Sequence, residues 1–241
     1  MRIAIISDIH GNATAFLEVL KNIDRSEVDH IFCLGDNIGY GPEPEAVIRM
    51  MSERNIPSVV GNHELAVNHP EYLGWFNPNA RLSIEKTITL LSPSSIEYLA
   101  LLPNTITRFD CLFVHGFPPD SPTLYLFEMS NGDILATLSR MTEKLCFIGH
   151  THELVLLDYD GESVTRTALS KESRKLDPAH RYIVNVGSVG QPRDGNNDAK
   201  YVIWDDCRNE LEIRFVPYNV TDTINKIYNA GLPEQHAWRL M

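Results

Sequence analysis

Hydrophobic positions recur along this chain with two different periods. Arg2–Ser7 is a short apolar run, Phe16, Val19, Leu20 and Ile23 follow at helical spacing, and HIFCLGD is a second apolar run. The first forty residues therefore predict strand, helix, strand. Pro42 and Pro44 open another amphipathic stretch carried by Ala46, Val47, Met50 and Met51, after which PSVVGN predicts a strand ending at Gly61. Residues 81–102 read as one or two helices stopped by Pro103. CLFVHG and KLCFIGH are apolar almost throughout, as strands covered on both faces are.

Past His152 the texture becomes β-rich. LVLLDYDGESVTRTAL is two runs joined by Asp160-Gly161, a hairpin signature, and RYIVNVG, KYVIWDD and LEIRFVPY predict three more strands with a turn at Asn209. A last helical pattern, Ile224, Ile227 and Tyr228, stops at Gly231. No repeat and no Ser/Gly-rich linker divides the chain. The expected arrangement is α/β, with two sheets packed face to face and helices outside, as one domain spanning 1–241.

Composition narrows the classes. At about 150 residues per domain, 241 residues allow one large domain or two small ones. With 43% apolar and 22% charged residues the chain is neither disordered, collagenous nor a coiled coil. Lys and Arg number 21 against 32 Asp and Glu, a net charge of −11, so stable nucleic-acid binding is not expected and an anionic substrate needs a local positive source. The apolar start ends at Ser7 and Asp8, too short for a signal peptide or a membrane span, which predicts a cytoplasmic protein without a membrane partner. Cys33, Cys111, Cys146 and Cys207 form no C-x-x-C pair and read as reduced core residues.

Five of the nine histidines stand at the ends of apolar strands. The segments are Asp8-Ile9-His10, Gly35-Asp36-Asn37, Gly61-Asn62-His63-Glu64, His115-Gly116 and Gly149-His150-Thr151-His152. In open α/β sheets the carboxyl ends of strands form the crevice where ligands bind, so polar residues from separate strands can converge there. The one-residue spacing of Asp8 with His10 and of His150 with His152 places each pair on one face of an extended backbone. The collected set is two aspartates, one asparagine and up to four histidines, a mixture suited to manganese, iron or zinc. That is too many ligands for one ion, and two ions about 3.5–4 Å apart are the arrangement that clamps the attacking and leaving oxygens of a phosphoester. Taken singly, Asp8 or Asn12 also suits a helix cap and Asp36 a turn; five ordered segments favour a common site.

These five segments resemble the motifs of the calcineurin-like metallophosphoesterases, D-x-H, G-D, G-N-H-[DE], H and G-H-x-H, and NVGSVGQPRDG resembles their small bacterial phosphodiesterase branch. The resemblance implies a four-layer α/β/β/α sandwich of two mixed sheets. It also implies that Asp8, His10 and His152 hold one divalent ion, that Asn62, His115 and His150 hold the other, and that Asp36 bridges them, manganese being favoured. His63 would be the catalytic residue facing substrate. Two divalent ions leave the site positive even with both aspartates and a hydroxide bound, which reconciles an acidic chain with a phosphate substrate. The implied activity is hydrolysis of phosphodiester or phosphoanhydride bonds in small molecules or nucleotides by metal-hydroxide attack.

The phosphoprotein phosphatases of the superfamily extend the second motif to G-D-x-x-D-R, where this chain has Gly39 and Tyr40. Tyr40 supplies no guanidinium fork, so phosphomonoester and phosphoprotein hydrolysis, or a metal-binding scaffold without turnover, are the alternative readings. The missing carboxylate also leaves the tautomer of His63 unspecified by the sequence unless Glu64 or a backbone carbonyl substitutes. Substrate-binding candidates are Arg193 in GQPRDG, Arg81 in NPNAR, and Tyr40 itself. Tyr72, Trp75 and Phe76, with Tyr125 and Phe127, are either lids that stack a nucleobase or loops packed onto the core. His30, His69, His180 and His236 are expected to be ordinary surface or core residues.

Overall fold

In the computed structural model, which describes residues 1–241, eleven strands form two mixed sheets. The first sheet runs in the order β2 (His30–Cys33), β1 (Arg2–Ile6), β10 (Ala199–Asp205), β11 (Glu210–Val216) and β8 (Ser173–Lys175). The second runs β3 (Thr105–Arg108), β4 (Cys111–Val114), β5 (Leu145–Ile148), β9 (Arg181–Val186), β6 (Leu154–Tyr159) and β7 (Val164–Ala168). Each sheet contains a parallel pair from its predicted apolar runs, β1 with β2 and β4 with β5. No helix is long and apolar enough to cross a membrane.

Strand alternation divides the core into layers. Ile3 and Ile5 of β1 join Phe32, Trp204 and Ile213 in the space between the sheets, where they meet Phe113, Phe147, Leu156 and Val184 of the second sheet. Ala4 and Ile6 point the other way, onto Phe16, Val19, Leu20 and Ile23 of α1 (Ala13–Asp24) and Val47 and Met51 of α2 (Pro44–Glu53). The outer face of the second sheet, Leu112, Cys146, Leu157 and Ile183, packs against Ile134 and Leu138 of α6 (Asn131–Arg140). Both faces of the central strands are thus buried, which is why those strands read as continuous apolar runs.

Several local expectations change. PSVVGN is not a strand: Ser58 makes one parallel bridge to Cys33, and the Val60 N–H then turns to the carbonyl of Pro103, ending the pairing. Residues after Gly61 form α3 (Asn62–Asn68), which no periodic pattern announced. The 81–102 region is two helices, α4 (Pro78–Leu90) and α5 (Pro93–Ala100), separated where Ser92 caps the second. The hairpin of β6 and β7 turns at Gly161, and α7 (Val220–Asn229) stops just before Gly231 at φ 65°, as expected. A short α8 (Glu234–Trp238) follows. Cys33, Cys111 and Cys146 are buried, whereas Cys207 is exposed and not a core residue.

Candidate metal centre

The carboxyl ends of the two parallel pairs meet at one point. β1 delivers Asp8 and His10, β2 delivers Asp36, β4 delivers His115 and β5 delivers His150 and His152, all buried. Asn62, half-buried, and His63 enter from the first turn of α3. The backbone at these positions is not extended. Asp8, His10, Asp36, His150 and His152 all have φ between 49° and 69°, so the convergence of the D-x-H and H-x-H pairs comes from left-handed residues rather than from strand alternation. That conformation costs about 1 kcal/mol or more per residue, and backbone bonds hold it here: the N–H groups of Asp8, His10 and Gly11 donate to Gly35, Asp36 and Asn37.

Two groups of donor atoms result. His152 Nε2 lies 3.2 Å from Asp8 Oδ1 and 3.0 Å from His10 Nε2. His115 Nε2 lies 3.1 Å from both Asn62 Oδ1 and His150 Nδ1. Between them stands Asp36 Oδ2, 3.7 Å from His10 Nε2 and 3.3 Å from His115 Nε2. Each carboxylate is anchored by its other oxygen: Asp36 Oδ1 accepts the His63 N–H at 3.0 Å and Asp8 Oδ2 accepts the His150 N–H at 3.0 Å.

The imidazoles are held with their lone pairs inward. A carbonyl oxygen only accepts, so the ring nitrogens facing Ile38, Leu34 and Gln191 carry the protons of His10, His115 and His152, and the one facing Thr123 carries that of His150. The opposite nitrogen of each ring faces the cluster. Asp8 Oδ1 is buried without any hydrogen-bond partner. Converging lone pairs and an unpartnered carboxylate oxygen fit a divalent cation, and the orienting carbonyls are the usual support for such ligands.

Electrostatics agree with a charge-hungry pocket. Burial lowers His10 well below the ordinary histidine value, His150 to about 3 and His63 to about 4. Burial also opposes charge on His115, but the Asp36 carboxylate overrides it and raises this ring to about 9, so its cluster-facing nitrogen holds a proton that a bound cation would displace. In turn, against burial, His115 and His63 hold Asp36 well below the carboxylate range.

His63 reaches the same space, with Nε2 4.0 Å from Asp36 Oδ2. Glu64 does not orient it. Its carboxylate accepts the N–H groups of Asp36, Asn37, Ile38 and Gly61, fixing the Asp36 loop instead. His63 Nδ1 has no partner and lies where a side chain at residue 39 would go: a Cβ on Gly39, at φ 98°, would stand 2.1 Å from it. The ring is positioned by packing, between Tyr40 at 4.5 Å and Phe76 at 5.2 Å between centroids. Gly149 is equally constrained, its Cβ direction blocked 2.5 Å away by Asp8 Oδ2.

A cavity of about 130 Å³ opens beside Asn62 and His150. Tyr40, Tyr72, Trp75, Phe76 and Tyr125 line it, so both predicted aromatic stretches reach the site. Tyr125 stacks on His150 at 3.6 Å, and Phe127 lies outside, stacked on Tyr125 and 65% exposed. Of the cation candidates, Arg193 sits over Tyr40 at 6.0 Å from the ring centroid. Arg81 does not belong to the site: it is exposed on α4 and pairs with Glu85 one turn away, as its i, i+4 spacing favours.

Residues outside the predicted ligand set also build the site. Ser188 and Gly190 donate to the Asp8 carbonyl, so the NVGSVG segment braces the first ligand loop. Gln191 and Thr123 orient His152 and His150 through main-chain carbonyls, a role independent of side-chain identity. His236 is buried against Tyr40, at 4.6 Å between centroids, and Arg239 follows it. His236 lies on the C-terminal α8 and Arg239 caps it, a segment whose only signal was a histidine and an arginine among aromatic and apolar residues.

Known proteins of the same build place this geometry in a family. Over its whole length the chain resembles the metallophosphoesterase of Sphaerobacter thermophilus, with 36% identity, a TM-score of 0.85 and coverage of 100% of this chain and 98% of that one. An uncharacterized protein of Methanocaldococcus jannaschii is 34% identical over 99% of this chain and 96% of its own length. A hypothetical protein of Pyrococcus horikoshii shares the fold at a TM-score of 0.80 and 18% identity, covering 99% and 97% of the two chains. Residues 1–209 match the calcineurin-like phosphoesterase superfamily domain, and the chain belongs to that superfamily.

Proposed function

We propose that this member hydrolyses phosphodiester or phosphoanhydride bonds in small molecules, nucleotides among them, using two divalent cations of which manganese is favoured. Asp8, His10 and His152 would hold one, and Asn62, His115 and His150 the other. The observation that carries this reading is the place of Asp36 Oδ2, within 3.7 Å of one donor group and 3.3 Å of the other. Such a cation pair supplies Lewis acidity toward a phosphoryl oxygen and makes water a competent nucleophile near neutral pH.

The chain's own residues account for the rest. Four carbonyl-anchored imidazoles and two N–H-anchored carboxylates keep the donors fixed, so little reorganisation accompanies the reaction. His63, kept neutral at pH 7 by burial, offers Nε2–H to a phosphoryl or leaving-group oxygen. Tyr72, Trp75, Phe76 and Tyr125 present ring faces suited to an organic substituent such as a nucleobase. The test is turnover of bis-p-nitrophenyl phosphate with manganese, before and after chelation, by wild type and Asp36→Asn. Turnover that needs the metal and Asp36 is expected; full turnover by chelated protein would overturn the proposal.

A further inference from the structure

Beyond the metal side of Tyr40 lies a second polar cluster that the reaction above does not use. Arg193 and Arg239 both donate to one acceptor, Gln191 Oε1, at 3.1 and 3.2 Å. No carboxylate lies within 4.0 Å of either guanidinium, so two like charges converge on a single neutral amide. Next to them His236 is 3% exposed, and neither of its ring nitrogens has a hydrogen-bond partner. A cavity of about 320 Å³ is lined by Tyr40, Asn77, Gln235, His236 and Arg239. An unpartnered buried imidazole and the Arg239 guanidinium at the cavity, with the Arg193 guanidinium beside them on the shared Gln191 amide, are what an anion would satisfy.

The position of this cluster fixes what the anion would be part of. The Tyr40 ring contacts His10 and His63 at 4.4 and 4.5 Å on one side and His236 at 4.6 Å on the other, and it lines both cavities. The cluster is therefore one ring away from the metal ligands. We propose that Arg193, Arg239 and His236 form a second anion subsite that holds a further phosphate of the substrate while the scissile one lies at the metal centre. The subsite selects substrates with two or more phosphates over simple diesters, and it supplies on α8 the guanidinium grip that Tyr40 cannot provide.

This inference rests on the phosphoesterase reading, and the experiment separates the two. Binding of AMP and of α,β-methylene-ADP to the manganese-loaded protein is measured by titration calorimetry, together with metal-dependent turnover of bis-p-nitrophenyl phosphate. The two nucleotides differ by one phosphate, and their affinity ratio is internal to each variant. In the wild type the diphosphate analogue should bind about tenfold tighter or better, the scale of a charge-assisted bond. Arg239→Ala and Arg193→Ala should each bring the ratio toward one, with Arg239→Lys between. Both arginines are exposed, so folding is not at stake. A wild-type ratio near one, or a ratio unmoved by both alanine variants, overturns the subsite even where turnover stands. Absence of metal-dependent turnover in the wild type, with the affinity ratio intact, would count against the phosphoesterase reading instead.

Discussion

The metal-ligand cluster and the rim around Tyr40 lie side by side but are built by different rules. The cluster is buried, drawn from strand ends in both sheets, and fixed by backbone hydrogen bonds to left-handed residues. The rim is assembled from a 3₁₀ turn at Pro70–Trp75, the loop before α6, the 190–198 loop and α8, and Trp75 is 69% exposed. Chemistry common to a superfamily needs fixed donors, whereas the choice of substrate needs surfaces that can differ between members. The ligand motifs sit immediately at the ends of buried strands, and the rim is left to the longer connections.

The sharpest way to break this contrast is to attack the cluster. Asp36→Asn should lower kcat on bis-p-nitrophenyl phosphate by about a thousandfold if Asp36 Oδ2 serves both donor groups as proposed; a tenfold effect would mean the two groups act separately. Gly39→Ala is next. Its new Cβ collides with His63 Nδ1 at a backbone φ of 98°, and displacing the ring proposed to face substrate should cost about a hundredfold, read as kcat with metal content unchanged. On the rim, Tyr125→Ala removes a stacking face beside His150 and should raise KM for a nucleotide substrate about tenfold while leaving kcat nearly constant.

Two smaller effects sharpen the contrast further. Burial lowers His236 to about 4 in the folded protein, below its unfolded value near 6.5. Between those pH values the unfolded chain takes up a proton that the folded one refuses, so stability falls as pH drops from about 6.5 toward 4. His236→Phe should remove that loss, on the order of 2 kcal/mol between pH 7 and 5, in urea titrations at the two pH values. Arg81→Ala should change kcat/KM by less than about twofold, because its partner is Glu85 and its place is the outer face of α4.

How far the sequence was legible follows the same division. Apolar runs and turn residues identified most central strands and α1, α2 and α7, because burial on defined faces imposes a period. β3, β8 and α6 carried no comparable signal, and PSVVGN looked like a strand because its apolar residues are buried without being paired. At the site the residues that converge were legible from their order and spacing, although the extended backbone inferred for them was wrong. Arg81 misled because a turn-flanked arginine has the same local pattern on a surface helix as at a phosphate. Arg239 and His236 escaped because their neighbours are tertiary: the last residues of the chain fold back onto Tyr40, two hundred positions earlier.

One feature of the architecture reaches beyond catalysis. Asp8, His10 and Asp36 follow strands of the first sheet, and His115, His150 and His152 follow strands of the second. A cation held across that seam is a removable staple between two halves otherwise joined by the apolar layer pressed between them and by hydrogen bonds such as His150 N–H to Asp8. Ligation requires the halves to be docked, so metal occupancy becomes folding free energy, and the melting temperature should climb with the logarithm of free manganese. A cell that runs short of the ion would then lose the scaffold's firmness along with its turnover, making the abundance of the protein itself a readout of metal supply.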